Sequence, residues 1–404
     1  MLIALTEKGI AVNLVFIKNP AELLKLKEKG KFYCPQCQNS LHLKIGTQKI
    51  PHFAHTRHSH CPGSTEAESP MHLKGKQDLF LWFRKKGWVA ELEHYVPEIR
   101  QRADILVSKN GRSFAIEYQC SVIPISQLQE RSRGYYSQGM TPMWILGGFP
   151  YQRILSERER LYRITDFQMS FAFFQMNSGF CLLSYHPFNK RMYQLIHIHP
   201  LTATKVFAYL ACQPLETVLP SMPFLLNLTN HVQYEVFDLP QWFKEKSNWL
   251  QTKIYYASSG KDPFLFEVYK NGLHPLLLNP VIGMPVERMG VCKSHPIEWQ
   301  FYLWIDALIK IPAGKTFSLA FILNLFHRRV SSKHLILREL PFISRNHITE
   351  MIRQYLDLLV QLDYLKREER GIYKMMKTIS LAKNIMEAEE LRNQLLKALR
   401  REER

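Results

Sequence analysis

The chain has 404 residues, of which 46% are hydrophobic and 22% charged. One hydrophobic core rarely serves so long a chain, so two or three folded domains are expected. The ordinary balance of apolar and charged residues excludes an extensively disordered or fibrous protein. Lysine and arginine number 53 against 35 acidic residues, and the net charge of +18 favours polyanions, above all nucleic acid, as partners.

Membrane insertion and secretion are not indicated by the sequence. No apolar run approaches the roughly 20 residues that span a bilayer, and Glu7 and Lys8 interrupt the N-terminal apolar stretch, unlike a signal peptide. Positive charge alone would also suit a peripheral membrane protein. The sparse, odd set of seven cysteines favours metal ligation over a disulfide framework. A reducing, cytoplasmic location is therefore expected. The sequence is also compatible with a homo-oligomer.

Residues 1–62 are predicted to form a small module. Alternating apolar residues predict two short strands around a turn, and a helix is expected over residues 20–29. A cysteine and histidine cluster follows the helix. Two close pairs of thiolate and imidazole ligands suit a tetrahedral structural zinc site. The predicted zinc ligands are Cys34, Cys37, His52 and His55, and Cys61 could replace either histidine.

Residues 63–200 are predicted to form a compact α/β domain. Ser69 as N-cap and Pro70 in the first turn predict a helix that ends near residue 86. Two strands joined by an Asn110-Gly111 turn predict a hairpin. A second helix is expected over residues 125–137, followed by a buried strand over residues 143–146.

Carboxylates within the predicted hairpin suggest a divalent metal site. Asp104 stands at an apolar strand and Glu117 in the next strand, where a carboxylate is costly unless it is paired, hydrated or bound to metal. Gln119 shares the strand face of Glu117 because side chains alternate. Phosphodiester hydrolysis needs such carboxylates to hold magnesium. Buried, salt-bridged acids are the alternative interpretation.

The second half of the chain gives a weaker pattern. Further strands are expected over residues 168–200, and residues 201–290 are interpreted only as a connecting region. Residues 291–404 are predicted to be mostly helical. A helix ending near Leu362 precedes a hairpin, which is the order of a winged-helix module. A helical bundle with a surface hairpin is favoured over that alternative.

Five motifs occur between about residues 30 and 150 of the chain. They are Cys34-Pro-x-Cys37, His52-Phe-Ala-His55, Glu68-Ser-x-x-His72-x-x-x-Lys76, Ala103-Asp104-Ile105-Leu106 and Ile116-Glu117-x-Gln119-x-Ser121. Through these motifs the sequence resembles the competence protein CoiA family, whose nuclease-like domain is similar to the PD-(D/E)XK restriction-endonuclease superfamily. The resemblance implies an α/β, restriction-endonuclease-like core between the zinc module and the helical C-terminal domain.

The resemblance also implies roles for the acidic residues. Asp104 and Glu117 match the metal-binding acids of the superfamily, and Glu68 matches the acid of its first helix. Glu68 could instead stabilise the helix N-terminus. Gln119 stands where the superfamily usually has lysine, and an amide can orient water but cannot act as a base.

Two sets of side chains are candidates for contacting nucleic acid. His72 and Lys76 share a face of the first helix of the α/β domain. Gln127, Arg131 and Tyr135 are spaced four apart on its second helix and could form a stripe that faces phosphate. An ordinary solvated polar face is the alternative in both cases.

The function expected from this resemblance is that of a metal-dependent DNA nuclease, or a nuclease-derived DNA-processing factor. It would act in recombination of incoming DNA during genetic transformation. Its cofactors would be structural zinc and catalytic magnesium or manganese, and its partners single-stranded or branched DNA and recombination proteins. The alternative is a catalytically inactive DNA-binding scaffold that recruits recombination proteins.

Overall fold

A computed structural model describes residues 1–56, 61, 68–154, 160–219, 238–257 and 261–402 of the protein. These residues form two compact units. The first unit takes its residues from 1–150, 182–194 and 210–232, and the second from 151–181, 195–209 and 233–404. No helix among the described residues is both long and apolar enough to cross a membrane.

The N-terminal module is an antiparallel sheet with one helix. Its elements are β1 (Ile3–Thr6), β2 (Ala11–Asn13), α1 (Pro20–Lys29), β3 (Phe32–Tyr33), β4 (Ser40–Lys44) and β5 (His52–His55). The strand order is β2-β1-β3-β4-β5. Asn19 caps α1 by accepting a hydrogen bond from the N–H of Ala21, and the predicted helix over residues 20–29 is confirmed. Leu41, Leu43 and Phe53 pack into the core of the module.

The α/β core of the first unit follows. Its elements are α2 (Pro70–Lys85), β6 (Val89–Leu92), β7 (Tyr95–Val96), β8 (Gln101–Arg102), β9 (Ile105–Lys109), β10 (Arg112–Gln119), α3 (Ile125–Ser137) and β11 (Met140–Gly147). Strands β6, β9 and β10 are antiparallel neighbours, and β11 runs parallel to β10. The predicted order of helix, hairpin, helix and strand is confirmed.

Local signals explain why this order could be predicted. The Ser69 side chain accepts a hydrogen bond from the N–H of His72 and so caps α2. Asn110 and Gly111 have φ angles of 52° and 73°, which the two-residue turn between β9 and β10 requires.

The middle of the chain contributes to both units. Its elements are β12 (Gln152–Arg153), β13 (Leu161–Arg163), α4 (Asp166–Met169), β14 (Phe173–Gln175), β15 (Gly179–His186), β16 (Arg191–Pro200) and β17 (Lys205–Pro214). Within the first unit, β15 runs parallel to β11 at Leu146 and Gly147. Within the second unit, β13 pairs with β17 and β14 with β15.

The C-terminal part of the second unit is mainly helical, as expected. It contains α5 (Leu239–Tyr256), α6 (Pro263–Lys270), α7 (Pro296–Leu303), β18 (Thr316–Ser318), α8 (Leu319–Ser331), α9 (Asn346–Gln361), β19 (Leu365–Glu369), β20 (Ile372–Met375) and α10 (Ile385–Glu402). Residues 201–290, interpreted from the sequence only as a connection, thus include β17, α5 and α6.

The C-terminal hairpin belongs to a three-stranded sheet of order β18-β20-β19. The sequence favoured a helical bundle with a surface hairpin, and that expectation is wrong because β20 pairs with β18 as well as with β19. The order of α7, β18, α8, α9 and the hairpin is that of a winged helix. Gln354 and His347 of α9 are hydrogen-bonded by Arg288, so part of the outer face of this helix is covered.

Candidate functional site

Parallel strands bring their carboxyl ends to one edge of the sheet in the first unit. The register pairs Gln119 of β10 with Leu146 of β11, and Gly147 of β11 with Tyr185 of β15. Helix α2 begins at the same edge, where Met71 of its first turn lies beside Gly148, the residue that follows β11. The residue that precedes β9, Asp104, also lies there, because its carboxylate accepts a hydrogen bond from the N–H of Tyr118 at 2.9 Å. This edge positions the candidate site.

Three side chains at this edge could hold a metal ion. The ligand atoms of Glu68, His72 and Asp104 all lie within 4.8 Å of one another. His72 Nε2 is 3.1 Å from Asp104 Oδ2, and His72 Nδ1 is 3.5 Å from Glu68 Oε1. The three side chains retain 14% to 20% of their exposure, so the cluster is partly open to solvent.

A buried cation lies behind this acidic cluster. Lys76, one turn along α2 from His72, pairs with Glu68, with Glu93 Oε1 at 2.7 Å and with Asp104 Oδ1 at 3.7 Å. Its side chain is only 1% exposed, and it cannot contact nucleic acid directly. The role assigned to Lys76 from the sequence is therefore corrected: it holds the carboxylates of the site together.

Glu93 and the chain's first residues complete the interior of the cluster. Glu93 accepts hydrogen bonds from the N–H groups of Leu2 and Ile3. The amino group of Met1 lies 2.5 Å from Glu68 Oε2. Nothing in the sequence pattern marked Glu93, because it follows a short strand and is recruited by a contact with residues distant along the chain.

The charges at this edge keep two carboxylates ionised. Burial would raise the pKa of Asp104, but the charges of His72 and Lys76 and hydrogen bonds from His72 and the Tyr118 N–H hold it well below its usual range. Burial likewise opposes ionisation of Glu68, and the charges of Lys76, the Met1 amino group and His72 outweigh it and lower that pKa. Both groups are therefore available as anionic ligands at neutral pH.

Glu117 lies outside the three-residue cluster. Its carboxylate is hydrogen-bonded by Arg131 and Tyr135 of α3, and its side chain is 5% exposed. Burial raises the pKa of Glu117 although the Arg131 charge opposes this, and the charge of Asp104 raises it further. The expected convergence of Glu117 and Asp104 on one metal is thus corrected: α3 packs over this face of β10 and engages Glu117.

The remaining predicted contacts divide between interior and surface. Tyr135 is fully buried, whereas Gln127 is exposed. The expectation that these residues form one stripe facing phosphate is therefore corrected.

The amide of Gln119 donates hydrogen bonds to the carbonyl oxygen and hydroxyl of Ser121, at 2.7 and 3.2 Å. Ser121 does not belong to the acidic cluster, so this amide is engaged outside it.

A second cluster in the N-terminal module has the geometry of a zinc site. The ligand atoms of Cys34, Cys37, His55 and Cys61 lie within 4.8 Å of one another. Cys34 Sγ is 4.0 Å from Cys61 Sγ, and Cys37 Sγ is 3.4 Å from His55 Nε2. Tetrahedral zinc, with bonds of about 2.0 to 2.3 Å, separates its ligands by roughly 3.4 to 3.8 Å. The sulfur atoms are too far apart for a disulfide.

The chemistry of these four side chains also fits zinc. Burial raises the pKa of the Cys34 thiol to about 12, so a thiolate there needs a nearby cation. Burial lowers the pKa of His55, which keeps its imidazole neutral and able to ligate. Three sulfur donors and one nitrogen donor close a structural site without an open position.

His52, predicted as the third ligand, lies outside this cluster. His52 and His55 are three residues apart on β5, and side chains on a strand alternate between its faces. His55 therefore turns towards the cysteines while His52 turns away and donates from Nδ1 to the carbonyl oxygen of Ile50 at 2.9 Å. Cys61 supplies the fourth ligand atom of the cluster, which is the replacement that the sequence left open.

The fold and the two clusters define a nuclease-like α/β protein with a cysteine and histidine cluster near its N-terminus. Family models described as Competence protein CoiA match three successive parts of the chain: the N-terminal domain over residues 16–64, the nuclease-like domain over 68–224 and the C-terminal domain over 237–389. The chain therefore belongs to the competence protein CoiA family.

A curated relative matches over most of its length. Competence protein CoiA from Bacillus subtilis (strain 168) is 26% identical over 352 residues, which are 86% of this chain and 90% of that protein. No solved structure is significantly similar to the chain.

Proposed function

We propose that this protein is a metal-dependent deoxyribonuclease that processes incoming DNA in the cytoplasm during genetic transformation. One observation carries the proposal: Glu68, His72 and Asp104 converge in a partly open position on a nuclease-like domain. The net charge of +18 supports binding of a DNA backbone. Single-stranded or branched DNA would be the substrate, and recombination proteins of the transformation pathway would be its partners.

The donor set of the acidic cluster suits a divalent cation. Two carboxylates are ligands that magnesium and manganese prefer, and the imidazole of His72 favours manganese over magnesium, whose preferred ligands are all oxygen. A divalent ion bound there would neutralise charge on the phosphate and lower the pKa of an attacking water. Zinc would have a structural role in the N-terminal module.

The protein's own residues would prepare this chemistry. Asp104 is oriented by the Tyr118 N–H and by His72, so its carboxylate is fixed at the edge of the sheet. Lys76 lies 3.7 Å from Asp104 Oδ1 and supplies positive charge that the amide of Gln119 lacks. Because Lys76 is buried, this charge would act through the field at the site and not by direct contact with DNA.

A DNA-binding scaffold without catalytic activity is the second candidate. It is favoured by the partners that the carboxylates already have: Arg131 and Tyr135 on Glu117, and Lys76 and the Met1 amino group on Glu68. Such pairing satisfies buried acids without a metal. The scaffold would bind DNA and recruit recombination proteins.

A cleavage assay distinguishes the two candidates. Labelled single-stranded, duplex and branched DNA is incubated with magnesium or manganese and with wild type or Asp104→Asn. We expect metal-dependent cleavage that falls roughly 100-fold or more in the variant, as for loss of an electrostatic group at an active site. Binding of every substrate without cleavage by wild type would overturn the nuclease and favour the scaffold.

Asp78→Asn is the matched control for this assay. Asp78 also lies in the first unit, and its side chain is 12% exposed against 16% for Asp104. Its partners are Lys74 and the Tyr185 hydroxyl, neither of which belongs to the cluster. Both substitutions remove one negative charge. Cleavage should therefore stay within a few-fold of wild type in the control, and an equal loss in the two variants would contradict a specific role for Asp104.

A further inference from the structure

A basic groove lies on the N-terminal module, outside both clusters. Its volume is about 790 Å³, and it is lined by β4, by the bend that follows β4 and by the end of α1. No acidic side chain is among the described residues that line it. Its positively charged and imidazole side chains are Lys27, His42, Lys44, Lys49 and His52.

The alternation of the hairpin β4–β5 builds this surface. Leu41 and Leu43 of β4 are buried in the module, so His42 and Lys44 are exposed on the opposite face. On the neighbouring strand, His52 pairs in register with Lys44. The same alternation that removes His52 from the zinc ligands thus directs it to the groove.

One end of the groove adjoins the acidic cluster. Lys49 Nζ donates a hydrogen bond to the backbone carbonyl oxygen of Glu68 at 2.8 Å. Phe53, next to His52 on β5, is hydrogen-bonded to Met1, whose amino group pairs with Glu68. A chain of phosphates lying in the groove would therefore lead to the edge where Glu68, His72 and Asp104 meet.

We propose that this groove binds the sugar–phosphate backbone of a nucleic-acid strand. Lysine ammonium groups in an acid-free groove attract phosphate, and displacement of counterions makes such binding salt-dependent. The proposal relies on the proposed function only for the choice of DNA as probe. It requires binding and not cleavage, so it can be tested whether or not the acidic cluster is catalytic.

The test measures binding of a fluorescent oligothymidylate to the full chain by anisotropy, from 50 to 300 mM salt, without added divalent metal. The groove variant is Lys27→Ala/Lys44→Ala/Lys49→Ala. Each phosphate contact on a single strand contributes about 0.7 to the slope of log K against log salt. We expect the slope to fall by about 2 and the affinity to fall about tenfold or more.

A matched control removes the same charge from the same module. Lys18, Lys25 and Lys29 are exposed and do not line the groove, so Lys18→Ala/Lys25→Ala/Lys29→Ala should change the slope much less. Equal effects of the two triple variants would overturn the groove as a site. Failure of the wild type to bind the oligonucleotide would also overturn it. So would displacement of the oligonucleotide by polyglutamate as efficiently as by unlabelled DNA.

Two further measurements keep failure interpretable. If the triple variant does not fold, as judged by circular dichroism, Lys27→Ala/Lys44→Ala removes only exposed side chains and should lower the slope by about 1.4. An unchanged slope in that variant would overturn the groove as a binding site.

The binding and cleavage results also distinguish the two proposals. If wild type cleaves DNA while the groove variants bind normally, the groove proposal fails and the nuclease proposal stands. If the groove variants lose binding but wild type never cleaves, the groove stands and the nuclease fails.

Discussion

Replacing Lys76 by methionine tests the electrostatic core of the site. The change keeps an aliphatic side chain of similar length but removes the buried charge that pairs with Glu68, Glu93 and Asp104. Removing one partner of a buried ion pair costs about 3 to 5 kcal/mol, because the other charge is left uncompensated. In a folding unit of about 150 to 250 residues, 1 kcal/mol shifts Tm by roughly 2 to 4 °C. The expected loss is therefore roughly 6 to 20 °C.

The cost of Lys76→Met should depend on pH in a defined direction. Lys76 lowers the pKa of Glu68 and Asp104. A carboxyl group with a lowered pKa stabilises the fold above its unfolded pKa, near 4, and this contribution disappears as pH falls through the folded pKa. Without Lys76 both pKa values rise. The difference in unfolding free energy between wild type and variant should thus be greatest near neutral pH. It should shrink below about pH 4, as pH falls towards the lowered pKa values of Glu68 and Asp104 in the wild type.

Thermal unfolding at several pH values measures this cost, with Lys74→Met as control. Lys74 lies on the same helix, is 29% exposed and pairs with Asp78, and such pairs contribute at most about 1 kcal/mol. A loss in Lys76→Met no larger than in the control would refute the reasoning. A large loss that stays the same from pH 7 to well below pH 4 would show that Lys76 acts through packing instead of charge.

Two other substitutions test the zinc cluster and the packing behind the acidic site. Cys61→Ser should lose most of its zinc, whereas His52→Ala should retain the wild-type zinc content, as measured by inductively coupled plasma mass spectrometry. The reverse result would restore His52 as the ligand. In Gly75→Ala the new Cβ would lie 2.0 Å from Cε1 of Tyr118. The free energy of unfolding, measured by chemical denaturation, should therefore fall by about 1 to 3 kcal/mol. A rise in that free energy, as expected for an open helical position, would contradict this packing.

Local signals were sufficient to predict much of the first unit. Ser69 and Pro70 define the start of α2, and Asn110-Gly111 defines the hairpin, because capping and positive φ angles depend on residues adjacent in sequence. The C-terminal hairpin was predicted as well, but the third strand of its sheet was missed for the opposite reason. Strand β18 has only three residues, and its pairing with β20 joins segments more than fifty residues apart.

Part of the candidate site could likewise be predicted from the sequence, and part could not. The i, i+4 spacing of Arg131 and Tyr135 correctly indicated one helix face, but not that this face packs on β10 and engages Glu117. The direction of a polar helix face is set by tertiary packing, and Leu128 and Ser132 are buried beside these residues. His52 was assigned from spacing alone, although strand alternation, which the sequence also displays, separates it from His55.

Anomalous diffraction from crystals of the full chain grown with manganese tests the central claim most directly. The account predicts an anomalous peak bordered by Glu68, His72 and Asp104, and its loss in Asp104→Asn but not in Asp78→Asn. A well-ordered site without such a peak, with Glu68 and Asp104 still paired to Lys76, would contradict a metal-dependent nuclease centre at this edge of the sheet.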